Sequence, residues 1–386
     1  MTAPVGVLVD GLLLHPSRNG QIAGTPAVGH HAGRRLERSP EAKISIVCHA
    51  LRQFRWLAVV IAFALAPASA SEATSAPKPP IKVKVFIAAM FEIGKNTGDR
   101  AGEFQHWYER YWTDSAPIDV RGALNPVYCN PDGVCGAVLG MGKVASSASM
   151  QAILLNPQFD FSQAYYLLSG VAGTPPSRGT VGEVVWATWL VDFDLGHRWA
   201  ADEVGPGEPL FMPRKGYESI RSYRLNPALV AWAMRLSADT PLADSDATRA
   251  YRMRYREEAA RRAPSVATGT HMTGDTFFVG PGLSAQAQYI AKLYGADDYL
   301  ITEMEGTGVT QVIARLYGLD RVMALRGAVN FDQGAPDETT MQHLDPIPGP
   351  STGAFDETVE NIERVGSRVV DRIVADWPHW AAGVPQ

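Results

Sequence analysis

The sequence predicts an α/β fold, in which one domain has a mixed, mainly parallel sheet flanked by helices in three layers. Two observations support this prediction. Strand-like and helix-like segments alternate from residue 81 almost to the end of the chain, and several of the strands end in polar or glycine-rich turns. Such alternation is typical of parallel sheets covered by helices. The chain has 386 residues, 46% of them hydrophobic, which is enough for one large domain after an amino-terminal leader.

Residues 299–332 show this alternation most clearly. A short apolar run, Tyr299 to Thr302, is followed directly by Glu303, Met304 and Glu305. Apolar residues then recur at helical spacing, at Val309, Val312, Ile313 and Leu316. Residues 321–325 form the next predicted strand, and residues 326–332 a polar loop.

A strand–helix–strand unit predicts two parallel strands joined by a right-handed crossover. Both strands would then end at the same edge of the sheet, where ligands of open α/β sheets bind. We therefore expect the side chains of the two turns to converge on one site, namely Glu303, Met304, Glu305, Arg326, Asn330 and Asp332.

The other elements follow from the same patterns. Five aromatic residues fall on one stripe of a helix predicted over 100–112, which favours a packed core over a base-stacking surface. The arginine-rich helix predicted over 244–262 is expected to present a solvated face, and the amphipathic helix over 356–377 to cover the sheet. The remaining strands are predicted over 81–88, 134–142, 165–169, 180–191 and 266–271, and the remaining helices over 145–155, 226–238 and 286–294.

The amino terminus has the pattern of a targeting sequence. Residues 51–70 combine a basic start, an apolar stretch of signal-peptide length and a small-residue cleavage site ending at Ala70. The apolar stretch is too short for a permanent membrane span, although an uncleaved anchor is the alternative. We expect export to the periplasm or the outside of the cell. Residues 1–50 are expected to be a disordered extension from a start codon assigned too early, and residues 71–80 a linker to the domain over 81–386.

Charge and cysteine content narrow the function classes. The net charge of −5 and the absence of a long Lys/Arg run argue against a nucleic-acid surface. Cys129 and Cys135 flank an Asp132-Gly133 turn, so export would permit a disulfide between them. Two cysteines without a nearby histidine do not complete a tetrahedral metal set, and no metal site is predicted.

Five turns, in this order, resemble those of the nucleoside phosphorylase and nucleosidase superfamily. They are the acidic turn 89–92, the Gly140-Met-Gly-Lys-Val144 turn, the segments 170–173 and 181–185, the segment 269–277, and Glu303-Met-Glu305. The leader, the cysteine pair and the 326–332 ending most resemble the group called purine nucleoside permeases. The resemblance implies a single three-layer domain of nucleoside phosphorylase type that binds a purine nucleoside.

The resemblance also implies residue roles. Glu305 would hold the 2′,3′ diol of a ribose, because a carboxylate offers two charged acceptors, and Met304 would lie against the sugar. Phe277 would pack on the base, a task that Phe278 could share. The remaining substrate-binding residues are predicted to be Gly140, Gly170, Val171, Glu303 and Arg326. For each, a purely structural role is the alternative.

For catalysis the resemblance points to Glu92, Asn330 and Asp332. Glu92 would orient or activate an attacking water, and Asn330 would contact the purine where adenine-acting relatives have an aspartate. An amide cannot deliver a proton, but it can both donate and accept a hydrogen bond, which suits 6-oxopurines. If the motif is shifted by one position, Asp332 rather than Asn330 would contact the purine. Val171 stands where phosphorolytic members commonly have a phosphate-binding serine, so phosphate as a co-substrate is in question.

Two functions are therefore expected, and the first is cleavage of the N-glycosidic bond of purine nucleosides, by hydrolysis or phosphorolysis, without a cofactor. The second is non-catalytic capture of a nucleoside for uptake, with a separate membrane transporter as the partner. A storage or structural role on the same fold is a third interpretation, and a homo-oligomer is compatible with all three.

Overall fold

The computed structural model describes residues 78–214, 216, 220–344 and 354–384. The predicted disordered extension (1–50), signal peptide (51–70) and most of the predicted linker (71–80) lie outside the described residues. Among the helices that the structure describes, none combines the length and the apolar character that crossing a bilayer would require.

Strands and helices alternate as predicted, with shifted boundaries. The strands are β1 Ile81–Lys82, β2 Val85–Ala89, β3 Tyr128–Cys129, β4 Val134–Val138, β5 Phe159–Asp160, β6 Tyr165–Thr174, β7 Val184–Asp192, β8 His197–Arg198, β9 Phe211–Met212, β10 Ser222–Arg224, β11 Val266–Thr273, β12 Tyr299–Glu303 and β13 Val322–Phe331. The helices are α1 Gln105–Tyr111, α2 Lys143–Leu154, α3 Pro227–Ser237, α4 Asp246–Arg252, α5 Glu258–Arg261, α6 Pro281–Leu293, α7 Gly306–Tyr317, α8 Thr340–Leu344, α9 Ala354–Ala375 and α10 Trp377–Ala381.

The main sheet is mixed and closes on itself. Its strands follow the order β10-β7-β11-β12-β6-β2-β4-β3, and β13 pairs with both β6 and β7. Strands β6, β12, β11, β7 and β13 therefore form a continuous ring. Within it β6 runs parallel to β13, and β7, β11 and β12 run parallel to one another. The predicted α/β fold with a mixed sheet is confirmed.

The prediction that residues 299–332 form a parallel crossover is wrong. Strand β13 is parallel to β6, whereas β12 is antiparallel to β6, so β12 and β13 run in opposite directions. The residues of the two turns meet for a different reason. Glu303 ends β12, but Arg326 lies in the middle of the ten-residue β13, where the ring of strands closes.

The helices cover the sheet, and their apolar faces form its core. Helix α9 packs across β13, β6 and β7, as expected from its amphipathic pattern, and α2 packs along α7. In and around α1 the aromatic residues Phe104, Trp107 and Trp112 are fully buried, which agrees with the prediction of a core rather than a surface. Ring stacking between Phe104 and Trp112, with centroids 5.2 Å apart, adds to the burial.

The arginine-rich segment 244–262 departs from its prediction. It splits into α4 and α5, and its arginines do not form one solvated face. Arg252 is 2% exposed and makes two hydrogen bonds with Asp244, at 2.6 and 2.9 Å. Helical spacing alone does not distinguish a buried, paired arginine from a solvated one.

The predicted disulfide is present and joins the two strands of the β3–β4 hairpin. Cys129 and Cys135 lie directly opposite each other in the antiparallel register, with Cα atoms 4.1 Å apart. The hairpin is the edge of the main sheet, and Tyr128 beside it packs on Tyr108. The bond thus closes a short loop at the edge of the sheet.

We expect the double variant Cys129→Ser/Cys135→Ser to unfold more readily than the wild type in oxidising buffer. A loop of this size predicts a loss of about 2 kcal/mol in the free energy of unfolding, because the reduced chain is less restricted when unfolded. Denaturant titrations with and without a reductant measure the effect. The difference should vanish under reducing conditions, and a difference that persists there would contradict a role for the bond.

Candidate functional site

A pocket of about 280 Å³ opens where β6, β12 and β13 meet. Its walls combine apolar side chains with a small number of charged ones, which is the usual composition of a small-molecule site. It is lined by Met90, Phe91, Glu103, Met141, Val171, Ala172, Phe277, Phe278, Thr302, Glu303, Met304, Glu305, Arg326, Val329, Asn330 and Phe355. Most of the residues predicted to converge are in this list.

Three buried carboxylates surround one buried guanidinium at the base of the pocket. Nη2 of Arg326 lies 3.0 Å from Oε2 of Glu303 and 3.0 Å from Oε2 of Glu305, and its Nη1 lies 3.9 Å from Oε1 of Glu103. All four side chains are at most 5% exposed. One cation against three carboxylates makes this region electronegative whenever all three are ionised.

Glu303 and Glu305 hold different parts of the site. Glu303 accepts hydrogen bonds from the backbone N–H groups of Glu305 and Gly306, at 2.8 and 2.7 Å, and from the hydroxyl of Thr273. Its carboxylate therefore shapes the turn into α7. Glu305 accepts from the N–H of Gly142 at 2.9 Å and from Arg326, one bond to each oxygen. Because each carboxylate oxygen has two lone pairs, Glu305 keeps one acceptor position per oxygen for a ligand.

Glu103 is the principal residue that the sequence prediction missed. Its carboxylate accepts from the backbone N–H groups of Met90 at 2.8 Å and Val171 at 2.6 Å. Burial raises the pKa of Glu103 to about 7, since the charged form loses its hydration; Arg326 lowers the pKa and the nearby Glu305 raises it. A carboxyl group that titrates near neutrality is suited to general acid–base chemistry.

Glu92 builds the loop that carries Glu103. It does not line the pocket, because its carboxylate is turned toward the backbone of the following loop. Its two oxygens accept hydrogen bonds from the backbone N–H groups of Ile93, Gly102, Phe104 and Gln105. These bonds fold residues 93–105 back on the end of β2 and bring Glu103 to the base of the pocket, 3.9 Å from Arg326.

The structure does not bring Asp332 to the pocket either. Its side chain is fully buried behind the strand, where Oδ2 accepts from the hydroxyl of Tyr299 at 2.8 Å. Burial raises its pKa. Asn330, two residues earlier, lines the pocket instead, and its Nδ2 donates to the carbonyl of Phe331 at 2.8 Å. That bond leaves its Oδ1 and a second N–H for a ligand.

The apolar wall of the pocket includes both candidate base-packing residues. Phe278 is buried and stacks on Phe193 with centroids 4.8 Å apart, whereas Phe277 is 55% exposed at the mouth. The loop that carries them is tied to the start of α2, because Asp275 accepts from the N–H of Lys143 at 2.7 Å. Phe277 is therefore the ring that remains free to cover a ligand.

The predicted glycines have separate roles. Gly142, at φ +81°, rather than Gly140, supplies the N–H that binds Glu305. Gly170 lies beneath the charged cluster, where an added Cβ would come within 2.3 Å of Nη1 of Arg326 and 2.6 Å of Oε1 of Glu103. Any side chain there would displace the two charged groups. Val171 contributes an apolar side chain to the pocket and a backbone donor to Glu103.

Phe355 is a second residue that sequence reasoning missed. It comes from the start of α9 and packs near Phe91, with ring centroids 6.2 Å apart. No local pattern marked it, because the amphipathic repeat of α9 predicts sheet contacts for its whole apolar face. For Glu103 one sign existed in the sequence, because it directly precedes an aromatic-rich helix and follows another acid, Glu92, by eleven residues.

The chain is similar to known proteins over this whole domain. The model of the family "Purine nucleoside permease (NUP)" matches residues 82–385. A probable purine nucleoside permease of Schizosaccharomyces pombe is 26% identical over 326 residues, covering 78% of this chain and 91% of that protein. A purine nucleoside permease of Candida albicans is 26% identical over 321 residues, covering 76% of this chain and 75% of its own length.

A solved structure shares the fold. Futalosine hydrolase of Helicobacter pylori superposes with a TM-score of 0.50 at 16% identity, and the match covers 75% of this chain and 98% of that one. At this identity the likeness concerns the arrangement of strands and helices alone. The family match extends over nearly all of the described residues, and the chain belongs to the purine nucleoside permease family.

Proposed function

We propose that this protein binds purine nucleosides in the pocket around Arg326 and hydrolyses their N-glycosidic bond, with Glu103 activating the attacking water. The observation that carries the proposal is the cluster of Glu103, Glu303 and Glu305 around Arg326 in a pocket that also presents an aromatic ring and an amide. The names of the related permeases support a purine nucleoside as the ligand.

The cluster suits the sugar. Glu305 keeps one acceptor position on each oxygen, which matches the two hydroxyls of a ribose 2′,3′ diol, and Met304 lies beside it. Charge-assisted hydrogen bonds of this kind are about twice as strong as neutral ones. As the glycosidic bond breaks, positive charge grows on the sugar, and the excess of carboxylates over cations stabilises it.

Other side chains of the pocket suit a purine. Phe277 offers a ring face, and Asn330 can donate to one purine acceptor while accepting from a neighbouring N–H. This pairing favours 6-oxopurines over adenine. Glu103, with its pKa raised to about 7, can accept the proton of a water that attacks the anomeric carbon.

The site favours hydrolysis over phosphorolysis. Val171 brings no donor side chain, and its backbone N–H already donates to Glu103. Nη2 of Arg326 is bonded to two carboxylates. A phosphate dianion in this pocket would therefore lie closer to carboxylates than to a hydrogen-bond donor. Repulsion between like charges at such short distances would weaken its binding.

Release of the free base tests this function. Inosine, guanosine and adenosine are incubated with the full-length chain, with and without phosphate, and the base is quantified chromatographically. We expect phosphate-independent release, faster from the 6-oxopurine nucleosides. Release that requires phosphate would contradict hydrolysis, and the absence of release together with measurable binding would favour the second candidate function.

A second variant tests the sugar assignment. We expect Glu305→Ala to weaken inosine binding by at least about 100-fold, since two hydrogen bonds to a charged group contribute about 1.5–3 kcal/mol each. Isothermal titration calorimetry measures the affinity, and circular dichroism checks the fold. Glu357→Ala, on α9 outside the pocket, is the control. Unchanged affinity in Glu305→Ala would remove the ribose assignment.

The second candidate function is capture of nucleosides without catalysis, for delivery to a separate membrane transporter. Asn330 favours it, because an amide at the base cannot protonate the leaving purine. In this case the wild type would bind inosine without releasing the base. Glu103→Gln would leave the affinity for inosine nearly unchanged.

We also propose that the protein is exported. The support is the signal-like sequence over 51–70 and a disulfide, which forms in oxidising compartments. Amino-terminal sequencing of protein secreted by its own host is the test, and a start near Ser71 is the expected result.

A further inference from the structure

Lys143 lies among three aspartate side chains beside the pocket around Arg326, and the proposed function gives this cluster no role. Its Nζ lies 3.0 Å from Oδ2 of Asp192, 2.8 Å from Oδ2 of Asp194 and 3.8 Å from Oδ2 of Asp275. The three aspartates come from the end of β7, from the loop that follows it and from the loop that follows β11. Because Lys143 is the first residue of α2, one ammonium group joins three other segments to the start of this helix.

The ammonium group of Lys143 is charged, and the carboxylates around it outnumber it. Burial by itself lowers the pKa of Lys143, but Asp192 and Asp194 raise it by more, so the pKa lies above its ordinary value. The side chain of Lys143 is only 17% exposed, and water therefore screens the cluster incompletely. Without the lysine, three carboxylates would face one another at short range, and their repulsion would drive the segments apart.

The backbone of Lys143 is attached to the sugar side of the pocket. The N–H of Gly142, the preceding residue, donates to Oε1 of Glu305 at 2.9 Å. The N–H of Lys143 itself donates to Oδ1 of Asp275 at 2.7 Å. Both bonds use backbone atoms, so they anchor the start of α2 beside Glu305 whatever side chain stands at position 143.

The side chain of Lys143 acts on a different part of the pocket, the loop that carries Phe277. Oδ2 of Asp194, which pairs with the ammonium group, also accepts the backbone N–H of Asp275 at 2.7 Å. Asp275 is two residues before Phe277, whose ring lines the pocket and is 55% exposed at its mouth. The position of this ring therefore depends on a backbone segment that is bound to Asp194 and, through Asp194, to Lys143.

We propose that Lys143 is a positioning residue that holds the Phe277 ring over the purine of a nucleoside whose ribose is bound to Glu305. This role rests on the proposed function, in which these two residues bind the two halves of the ligand. By neutralising the three aspartates, Lys143 keeps residues 274–280 folded against the start of α2. The base-binding ring and the sugar-binding carboxylate are then held at a fixed separation, and such pre-organisation reduces the entropy lost when a ligand binds.

Calorimetric titration of the full-length chain with inosine tests this role. We expect Lys143→Met to weaken inosine binding about tenfold, which is the order of effect that loss of an aromatic stacking partner has on the binding of a base. Lys292→Met is the matched control, because Lys292 is exposed in the last turn of α6, and it should leave the affinity unchanged. Circular dichroism checks that both variants are folded.

A double-mutant cycle shows whether Lys143 acts through the ring. Phe277→Ala should weaken inosine binding by a similar factor. The double variant Lys143→Met/Phe277→Ala should bind about as tightly as Phe277→Ala alone, because without the ring the lysine has nothing to position. Two residues that acted independently would instead show additive losses.

Salt separates repulsion between the aspartates from a loss of packing. Asp194 and Asp275 are 31% and 48% exposed, so about 1 M NaCl should screen their repulsion and restore part of the affinity of Lys143→Met. Inosine is uncharged, and the wild type should therefore bind it about equally at both salt concentrations. Asp194→Ala removes the acceptor of the Asp275 N–H and leaves Lys143 paired with Asp192, so it gives a second test that does not require Lys143→Met to fold.

Four outcomes separate this role from the proposed function. Wild-type affinity for inosine in Lys143→Met or in Asp194→Ala would overturn the positioning role and leave the proposed function standing. Additive losses in the double variant, or a loss in Lys143→Met that salt does not reduce, would also overturn it. If the wild-type chain does not bind inosine, the proposed function is wrong, and the role of Lys143 with it.

Discussion

Replacement of Glu103 by glutamine is expected to lower the hydrolysis of inosine by about 10²–10⁴-fold, the usual contribution of a positioned general base. The wild-type enzyme should show a kcat/KM that rises with pH through about 7, because burial raises the pKa of Glu103 to that value and only the ionised form can accept a proton. The Glu103→Gln variant should lose this rise of kcat/KM with pH, referred to below as the pH-dependent limb. Initial rates at subsaturating inosine, measured from pH 5 to 9, give the pH dependence of kcat/KM.

Two other substitutions separate the role of Glu103 from that of its loop. Glu103→Asp keeps a carboxylate and should retain the pH-dependent limb at a reduced rate. Glu92→Gln removes the charge that binds the backbone of residues 93–105, so it should lower the melting temperature and keep the limb. If Glu92→Gln abolishes the limb and Glu103→Gln keeps it, the water-activating group is Glu92 and the assignment to Glu103 is wrong.

Replacement of Arg326 by methionine is expected to lower the free energy of unfolding by about 3–5 kcal/mol, because it leaves buried carboxylates without a cation. Glu103, Glu303 and Glu305 are close to this one guanidinium, which is 1% exposed. Burial already raises the pKa values of Glu103 and Glu305, and without Arg326 they should rise further above those of the unfolded chain. The folded state of the variant then binds more protons than its unfolded state. The loss in the free energy of unfolding relative to the wild type should therefore grow as pH rises from about 5 to about 8.

Urea denaturation at both pH values measures this effect. Arg178→Met is the matched control, since Arg178 is 40% exposed and pairs with the exposed Asp298. A surface pair of this kind contributes less than about 1 kcal/mol. Equal losses in the two variants, or a loss in Arg326→Met that does not depend on pH, would contradict the uncompensated-charge explanation.

Local sequence patterns predicted the secondary structure better than the strand directions. Apolar spacing located β12, α7 and β13 to within a few residues, except that β13 continues through residues 326–331, which were expected to be a loop. The same pattern could not show that β12 and β13 run antiparallel, because strand direction depends on pairing with β6 and β7. Periodicity records which faces of an element are buried, and it carries no information about the partner strand.

Resemblance to a family predicted eight of the sixteen described residues that line the pocket, and its error at Glu92 has a physical cause. It pointed to Glu92, the acid nearest the end of β2, whereas the structure places Glu103 in the pocket. The difference depends on hydrogen bonds that the Glu92 carboxylate accepts from backbone N–H groups ten or more residues further along the chain, such as that of Phe104 at 2.8 Å. A sequence motif gives the order of residues along the chain. It does not show that a loop folds back and brings a later residue to the pocket.

The sequence by itself determined the α/β class, the disulfide-bearing hairpin, the core role of the aromatic residues around α1 and the family to which the chain belongs. Each of these depends on residues close together in sequence or on the order of short motifs. The tertiary structure alone decided that Arg326 is enclosed by three carboxylates and that the pKa of Glu103 is raised. Those properties arise from burial and charge proximity between segments hundreds of residues apart, and such interactions form only when the sheet closes.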